Sequence, residues 1–197
     1  DFTSGAYACW GPTVATRGPV HASGPYYTPN YRATSRAIHT NGPTAGAFRG
    51  FGVPQAAITQ ESLYDELAEK CGIDRLEFRR LNALSDRDKT PFGQTLQAVG
   101  LKDCLDARQP FWSKAAEEVK AFNTRSKEVK RGIGVASCWY GCGNTALPNP
   151  STIRIGVKPN GLLCLHQGAT DIGQGSNTVI AQIAAEALGV GVGAFTL

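Results

Sequence analysis

Charged residues and glycines are distributed in opposite ways along this chain of 197 residues, and their distribution limits the possible folds. Residues 61–131 hold 27 of the 36 charged side chains but only three of the 23 glycines. Eight glycines lie in residues 1–60 and 12 in residues 132–197. A charged stretch with few glycines favours solvated helices, whereas glycine-rich stretches favour turns and tight loops. The sequence therefore predicts a helical middle between two flanks of loops and short strands.

The composition is that of a globular protein, with 42% hydrophobic residues, which excludes disordered, collagen-like and coiled-coil chains. The 14 basic and 13 acidic side chains of the middle balance one another, so we expect no nucleic-acid partner. Because no apolar run approaches the roughly 18 residues of a membrane span, we expect no membrane partner. Six cysteines without a secretion signal predict reduced thiols and a cytoplasmic location. The absence of methionine suggests a piece of a longer polypeptide.

The middle of the chain has clear helix signals. The spacing predicts one helix from Pro54 to a terminating Gly72, with Glu61 facing outward, and a second helix capped by Asp74. A short helix near residues 100–108 and a longer one from Pro110 are expected to follow.

The flanks show strand signals. Residues 33–40 are predicted to form a strand in the first flank, and residues 133–137 in the second. Residues 153–157 and 162–167 alternate around an Asn-Gly turn, which predicts a β-hairpin. The fold class is therefore α+β.

The sharpest local feature of the second flank is residues 171–177 (DIGQGSN), which connect a predicted strand to a predicted helix. Two glycines let backbone amides approach an anion, and the helix N-terminus adds positive potential. Ser176 is expected to cap this helix. An ordinary capped turn explains the pattern equally well. The inner face of the helix is predicted to contain Val179, Ile180, Ile183, Ala184, Ala187 and Leu188.

The first flank ends in residues 45–52 (AGAFRGFG), where small residues surround one arginine and two phenylalanines. Small residues let a bulky group lie against the backbone, and a guanidinium suits a buried anion. An arginine paired with a carboxylate in a structural turn is the alternative. Further along, residues 141–146 fit G-x-G-x-x-A, but no helix follows, which argues against a dinucleotide site. That loop, with the flat rings of Trp139 and Tyr140, can form either a plain connection or a pocket wall.

Taken together, residues 46–55 (GAFRGFGVPQ) and 171–176 (DIGQGS) resemble the molybdenum-binding subunit of the xanthine dehydrogenase and aldehyde oxidoreductase family. The resemblance continues through residues 64–70 (YDELAEK) and 74–82 (DRLEFRRLN) and covers most of the chain.

The resemblance implies site residues. The backbone of Phe48 and Arg49 and the side chain of Arg49 would border the molybdenum. Phe51 would be an aromatic wall of the substrate channel, with Tyr140 and Asn144 as further substrate contacts. Cofactor contacts would come from residues 173–176, namely Gly173, Gln174, Gly175 and Ser176.

The resemblance also implies a function. It predicts part of a molybdenum hydroxylase that oxidises an aldehyde or an N-heterocycle with oxygen from water. The cofactor would be molybdenum with molybdopterin, either in its plain form or as the cytosine dinucleotide. Iron-sulfur clusters and FAD would lie on partner domains or subunits. No catalytic residue is predicted in this chain, because the family's catalytic glutamate motif is absent from it.

The same resemblance implies a domain organisation within a larger, multi-domain subunit. Residues 1–53 would be the loop-and-strand flank of a first molybdopterin-binding domain and residues 54–130 a helical connector. Residues 131–197 would be the start of a second molybdopterin-binding domain, and each flank would supply one wall of a single cofactor site. A non-catalytic structural or assembly piece of such an enzyme is the alternative hypothesis.

Overall fold

The computed structural model describes residues 1–7, 9–141 and 150–196. The chain divides into two compact units, residues 1–140 and 141–197. The first unit contains β1 (Phe2–Gly5), α1 (Gly11–His21), β2 (Ala37–His39), α2 (Val53–Cys71), α3 (Arg75–Asn82) and α4 (Leu101–Arg125). The second contains β3 (Arg154–Val157), β4 (Leu163–His166), α5 (Ser176–Leu188), a 3₁₀ turn (Val192–Ala194) and β5 (Phe195–Thr196). Helices and small sheets together confirm the α+β class. None of the helices in the described ranges combines the length and the apolar character that a membrane span requires.

Helix α1 lies where the sequence predicted only strands and loops, so that prediction was wrong. Its buried face consists of small residues and one histidine: Gly11, Ala15, Gly18 and His21. A methyl group on Gly18 would lie 2.8 Å from the ring of Phe2. The glycines that suggested breaks in the chain thus let α1 pack closely on β1. β1 pairs with β2 in parallel, and β2 spans only residues 37–39 of the predicted strand 33–40.

Helices α2 and α3 follow the sequence prediction closely. α2 begins at Val53 and ends at Cys71, and the left-handed conformation of the following Gly72 terminates it. The carboxylate of Asp74 then accepts hydrogen bonds from the amides of Leu76 and Glu77, which caps α3 as predicted.

Helix α4 is one helix of 25 residues, not the two that were predicted around Pro110. Proline interrupts one backbone hydrogen bond at a cost of roughly 3 kcal/mol, but good helix formers continue the helix on both sides. The indole Nε1 of Trp112 donates to Asp74 Oδ2 over 2.8 Å, which secures the second half of α4 beside α3. Among its residues, only Leu105 is fully buried.

The predicted strand at residues 133–137 was wrong, because the segment has no strand assignment. Residues 133, 135 and 137 are half-buried and alternate with exposed neighbours, so the period of two is present. However, the described strands of this unit form only the β1–β2 pair. Alternation alone therefore predicted the burial pattern but not the hydrogen bonds.

The second unit confirms the predicted hairpin. β3 and β4 pair in antiparallel register, with Ile155 opposite Leu165, and the turn contains Gly161 at φ 81°. β5 adds to β4 in parallel. Leu165 packs with Ala181 and Ala184 of α5 in the core. The predicted inner face of α5 was partly wrong, because the alanines approach the sheet most closely. Val179 and Ile183 are 49% and 64% exposed.

Candidate functional site

Residues 45–52, which we call the arginine loop, contain three successive residues with positive φ. These are Gly50 at 92°, Phe51 at 48° and Gly52 at 90°. The conformation is closed by hydrogen bonds from the amide of Phe51 to the carbonyl of Phe48 and from Val53 to Gly50, at 2.8 and 2.9 Å. An aromatic residue in this region is strained, and such strain concentrates at functional sites.

The glycines of the arginine loop allow it to lie directly on neighbouring parts of the first unit. A methyl group on Gly46 would lie 2.8 Å from Cys9 Sγ, and one on Gly52 would lie 2.9 Å from the carbonyl oxygen of Val14. At these two positions the bulky neighbour is therefore the chain itself. The side chains of Phe48 and Arg49 are exposed, Phe48 at 86%.

The two ends of helix α1 lie beside two of the predicted substrate residues. The ring of Trp10, which immediately precedes α1, lies 6.3 Å from the ring of Phe51 at an interplanar angle of 65°. At the other end, His21 stacks on Tyr140 with centroids 5.7 Å apart. The third predicted substrate residue, Asn144, lies outside the described residues. The sequence predictions missed α1 and therefore also missed Trp10 and His21 beside these residues.

His21 is buried at the C-terminal end of α1. Its Nδ1 lies 3.1 Å from the carbonyl oxygen of Arg17, which can only accept, so Nδ1 carries the proton. Burial lowers the pKa of His21 below its usual value, an effect that outweighs this hydrogen bond. Beside it, the indole of Trp139 is 6.0 Å away, and its buried Nε1 has no hydrogen-bond partner.

A buried charged network fixes α2 and α3 to each other. Arg79 is fully buried and donates from Nε to Glu61 Oε2 over 2.6 Å, and its Nη2 lies 2.9 Å from Asp65 Oδ1. The hydroxyl of Tyr26 donates to the other carboxylate oxygen of Glu61 over 2.7 Å. Glu61 is only 7% exposed, so the prediction that it faces outward was wrong. No periodicity could indicate that a partner arginine lies 18 residues further on.

The network shifts the pKa values of its members. Burial raises the pKa of Tyr26, and burial with the nearby Glu61 carboxylate raises that of Tyr64 to about 12. Burial alone would lower the pKa of Arg79, but the hydrogen bond and charge of Glu61 outweigh it and the pKa is raised. All three groups therefore keep their usual charge state at neutral pH.

Residues 171–176, which we call the glycine loop, fold onto themselves in the second unit. Asp171 accepts from the amides of Gly173 and Asn177 at 2.8 and 3.4 Å. The side chain of Gln174 accepts from the amide of Ile172 and donates to the carbonyl of residue 170. Two amides of the predicted anion site are therefore already bonded to the carboxylate of Asp171.

Ser176 does not cap α5, which corrects the prediction. Gly175 takes the cap position with φ 78°, and its carbonyl accepts from the amide of Val179. Since Ser176 lies inside the first turn, its hydroxyl is not placed to cap the helix. Its Oγ is buried and has no hydrogen-bond partner. A methyl group on Gly175 would meet nothing within 4 Å, so this face of the loop is open.

Within the described ranges, no three His, Cys, Asp or Glu side chains gather closely enough to hold a metal ion. The described cysteines, at positions 9, 71, 104, 138 and 164, are free thiols.

Two family models match the chain, and both describe a molybdopterin cofactor-binding domain. The first matches residues 2–83 and the second residues 107–196. Together the two matches cover most of the chain, which therefore belongs to the molybdopterin cofactor-binding domain family. The first match contains the arginine loop and the second contains the glycine loop, so each unit carries one of the two motifs.

Similar curated proteins include a molybdenum-binding subunit and an oxidoreductase. The chain is 35% identical over 194 residues to the xanthine dehydrogenase molybdenum-binding subunit of Escherichia coli O157:H7, a match that covers 96% of the chain and 25% of that protein. It is 34% identical over 184 residues to the aldehyde oxidoreductase of Megalodesulfovibrio gigas, covering 93% of the chain and 20% of that protein. The chain thus spans a quarter or less of the length of these relatives.

A solved structure shares the fold. The aldehyde oxidoreductase from Desulfovibrio desulfuricans matches 99% of the chain and 22% of its own chain, at a TM-score of 0.85 and 32% identity. The resemblance seen in the two motifs is therefore confirmed in both sequence and fold.

Proposed function

We propose that the chain forms part of a molybdenum hydroxylase, in which it positions the molybdopterin cofactor and lines the substrate channel. The observation that carries this proposal is the buried, unpartnered hydroxyl of Ser176 beside the open face of Gly175. Buried polar groups in native proteins are nearly always hydrogen-bonded. A bound group with polar edges, such as a pterin, would supply the partner that Ser176 lacks.

The residues present fit the cofactor. In the second unit, Gly175 and Ser176 would make the main contacts with the cofactor. Gly173 and Gln174 would lie at the edge of this contact. Since the Gln174 amide bonds to its own loop, it would reach the cofactor only after a side-chain rotation. In the first unit, we propose that Phe48 and Arg49 border the molybdenum, because both side chains are exposed.

When bound, the molybdenum cofactor supplies oxidation in which water is the source of the oxygen atom. Iron-sulfur or FAD groups on partner domains or subunits would accept the electrons that the substrate gives up. We propose Phe51, Tyr140 and Asn144 as substrate contacts of this chain. No base for the reaction is assigned to the chain itself.

An aldehyde or an N-heterocycle is proposed as the substrate. The relatives include enzymes named for both classes: aldehyde oxidoreductase, xanthine dehydrogenase, and the nicotinate dehydrogenase large molybdopterin subunit of Eubacterium barkeri. The last is 46% identical over 104 residues.

We further propose that residues 1–53 and 131–197 belong to two molybdopterin-binding domains joined by the helical connector 54–130. The free thiols support a cytoplasmic location, in which disulfides are rare.

The test is Ser176→Ala in the full-length protein. Because the hydroxyl has no partner in the chain, its removal should leave the thermal stability of the cofactor-free protein unchanged or slightly raised. Molybdenum, measured by mass spectrometry, and pterin, measured by fluorescence after oxidation, should both fall severalfold. Thr178→Ala, an exposed position on the same helix, is the matched control and should retain both.

Three outcomes decide the proposal. Full molybdenum and pterin in Ser176→Ala would show that this hydroxyl does not hold the cofactor. A full-length protein that is active without molybdenum would refute the function. A protein that carries the cofactor but oxidises neither substrate class would favour the structural or assembly role.

A further inference from the structure

The rings of Trp10 and Phe51 form an aromatic corner in the first unit. Their centroids are 6.3 Å apart and their planes meet at 65°. Trp10 is 59% exposed and Phe51 is half-buried, so part of each ring is open to a ligand. A flat ring that stacks on one wall of such a corner meets the other wall edge-on. Stacked and edge-on arrangements are the two that aromatic rings prefer.

The backbone holds both rings in place. Phe51 keeps its left-handed conformation between two glycines that also have positive φ. Trp10 directly precedes α1, where a methyl group on Gly11 would lie 2.6 Å from Ser4 Cβ and 3.1 Å from the carbonyl oxygen of Ala45. The start of α1 is therefore packed against the start of the arginine loop. Since little rearrangement is needed on binding, the corner is preorganised.

We propose that Trp10 is a specificity-determining residue that, with Phe51, selects a planar aromatic N-heterocycle over a small aliphatic aldehyde. This inference rests on the proposed function for its place in a substrate channel. It deepens that function by choosing between the two substrate classes. An aliphatic aldehyde has no ring to place in the corner and gains nothing from the second wall.

The experiment compares Trp10→Leu, Trp10→Phe and Phe51→Leu in the full-length protein. Quinoline and acetaldehyde are the substrates, and the Kd of quinoline is measured by calorimetry independently of turnover. Phe111→Leu is the control, since Phe111 is an exposed aromatic residue on α4, 68% exposed.

Trp10→Leu should raise the Kd and KM for quinoline about fivefold, as expected for one aromatic contact, with kcat within about twofold. The KM for acetaldehyde should not change. Trp10→Phe should restore quinoline binding to within about twofold, and Phe51→Leu should weaken it as Trp10→Leu does. A merely structural role of Trp10 would change the KM for both substrates alike. The control Phe111→Leu should change neither KM.

The proposed role of Trp10 is refuted by any of three results. These are an unchanged Kd of quinoline in Trp10→Leu and Phe51→Leu, an equal change in the KM for both substrates, and no binding of quinoline by the unaltered protein. Failure of the proposed function gives a different result. If the protein binds quinoline through Trp10 but contains no molybdenum and oxidises neither substrate, the role of Trp10 is supported and the proposed function is refuted. If the protein oxidises acetaldehyde and Trp10→Leu has no effect on quinoline binding, the function is supported and the role of Trp10 is refuted.

Discussion

Removal of the buried guanidinium of Arg79 is the perturbation with the largest expected effect on the first unit. In Arg79→Met, the carboxylate of Glu61 would stay buried without its cation. The carbonyl oxygens of Arg75 and Glu61 would each lose a hydrogen bond of 3.0 Å. Breaking a buried ion pair on one side costs about 3 to 5 kcal/mol, because an uncompensated charge is left behind. We expect a loss of this size in the free energy of unfolding.

The assay is urea unfolding of the chain followed by circular dichroism. Arg80→Met is the matched control, since Arg80 is the next residue on α3 and its partner Glu77 lies at the surface. Exposed ion pairs contribute little, so this variant should unfold much nearer to the unaltered chain. The two changes remove the same side chain from adjacent positions and differ in burial.

A double-mutant cycle isolates the interaction between Arg79 and Glu61. The variant with Arg79→Met and Glu61→Met should lose less stability than the two single variants summed, because no unpaired charge remains between them. A cost below about 1 kcal/mol for Arg79→Met, or strict additivity in the cycle, would refute the reasoning.

Three further changes test other parts of the structure by thermal or urea unfolding. Gly52→Ala places a methyl group 2.9 Å from a backbone oxygen at φ 90° and should cost roughly 1–3 kcal/mol of stability. Gly72→Ala should cost less, because φ is 65° there and the space is open. Equal losses would show that the close contact at Gly52 does not contribute. Asp74→Ala removes both the α3 cap and the Trp112 bond and should cost about 2 kcal/mol, whereas a neutral effect would show that neither bond stabilises the unit. Since the pKa of His21 is lowered in the fold, its contribution is present above the unfolded pKa near 6.5 and is lost as pH falls below it. His21→Phe should therefore lose less stability between pH 7 and pH 5 than the unaltered chain, and an unchanged slope would contradict this.

The sequence predicts elements well where local chemistry decides them. The cap of α3 at Asp74, the end of α2 at Gly72 and the Asn-Gly hairpin depend on a few adjacent residues, and all three were confirmed. Ser176 shows the limit of such signals. A one-residue shift of the helix start put its hydroxyl inside the turn, where it has no partner in the chain.

Elements that depend on distant contacts could not be predicted. Helix α1 forms despite its glycines because those glycines fit against β1. Helix α4 continues through Pro110, and its second half is bonded through Trp112 to Asp74, which lies 38 residues earlier. The burial of Glu61 likewise depends on an arginine of another helix. Trp10 was missed as a site residue because the predicted loops gave no reason to place it beside Phe51.

The most direct test of the central claim is the molybdenum content of the purified full-length protein, measured together with its oxidase activity. We expect stoichiometric molybdenum with an associated pterin, and activity that follows the molybdenum content across preparations. Full activity in a preparation that lacks molybdenum would contradict it.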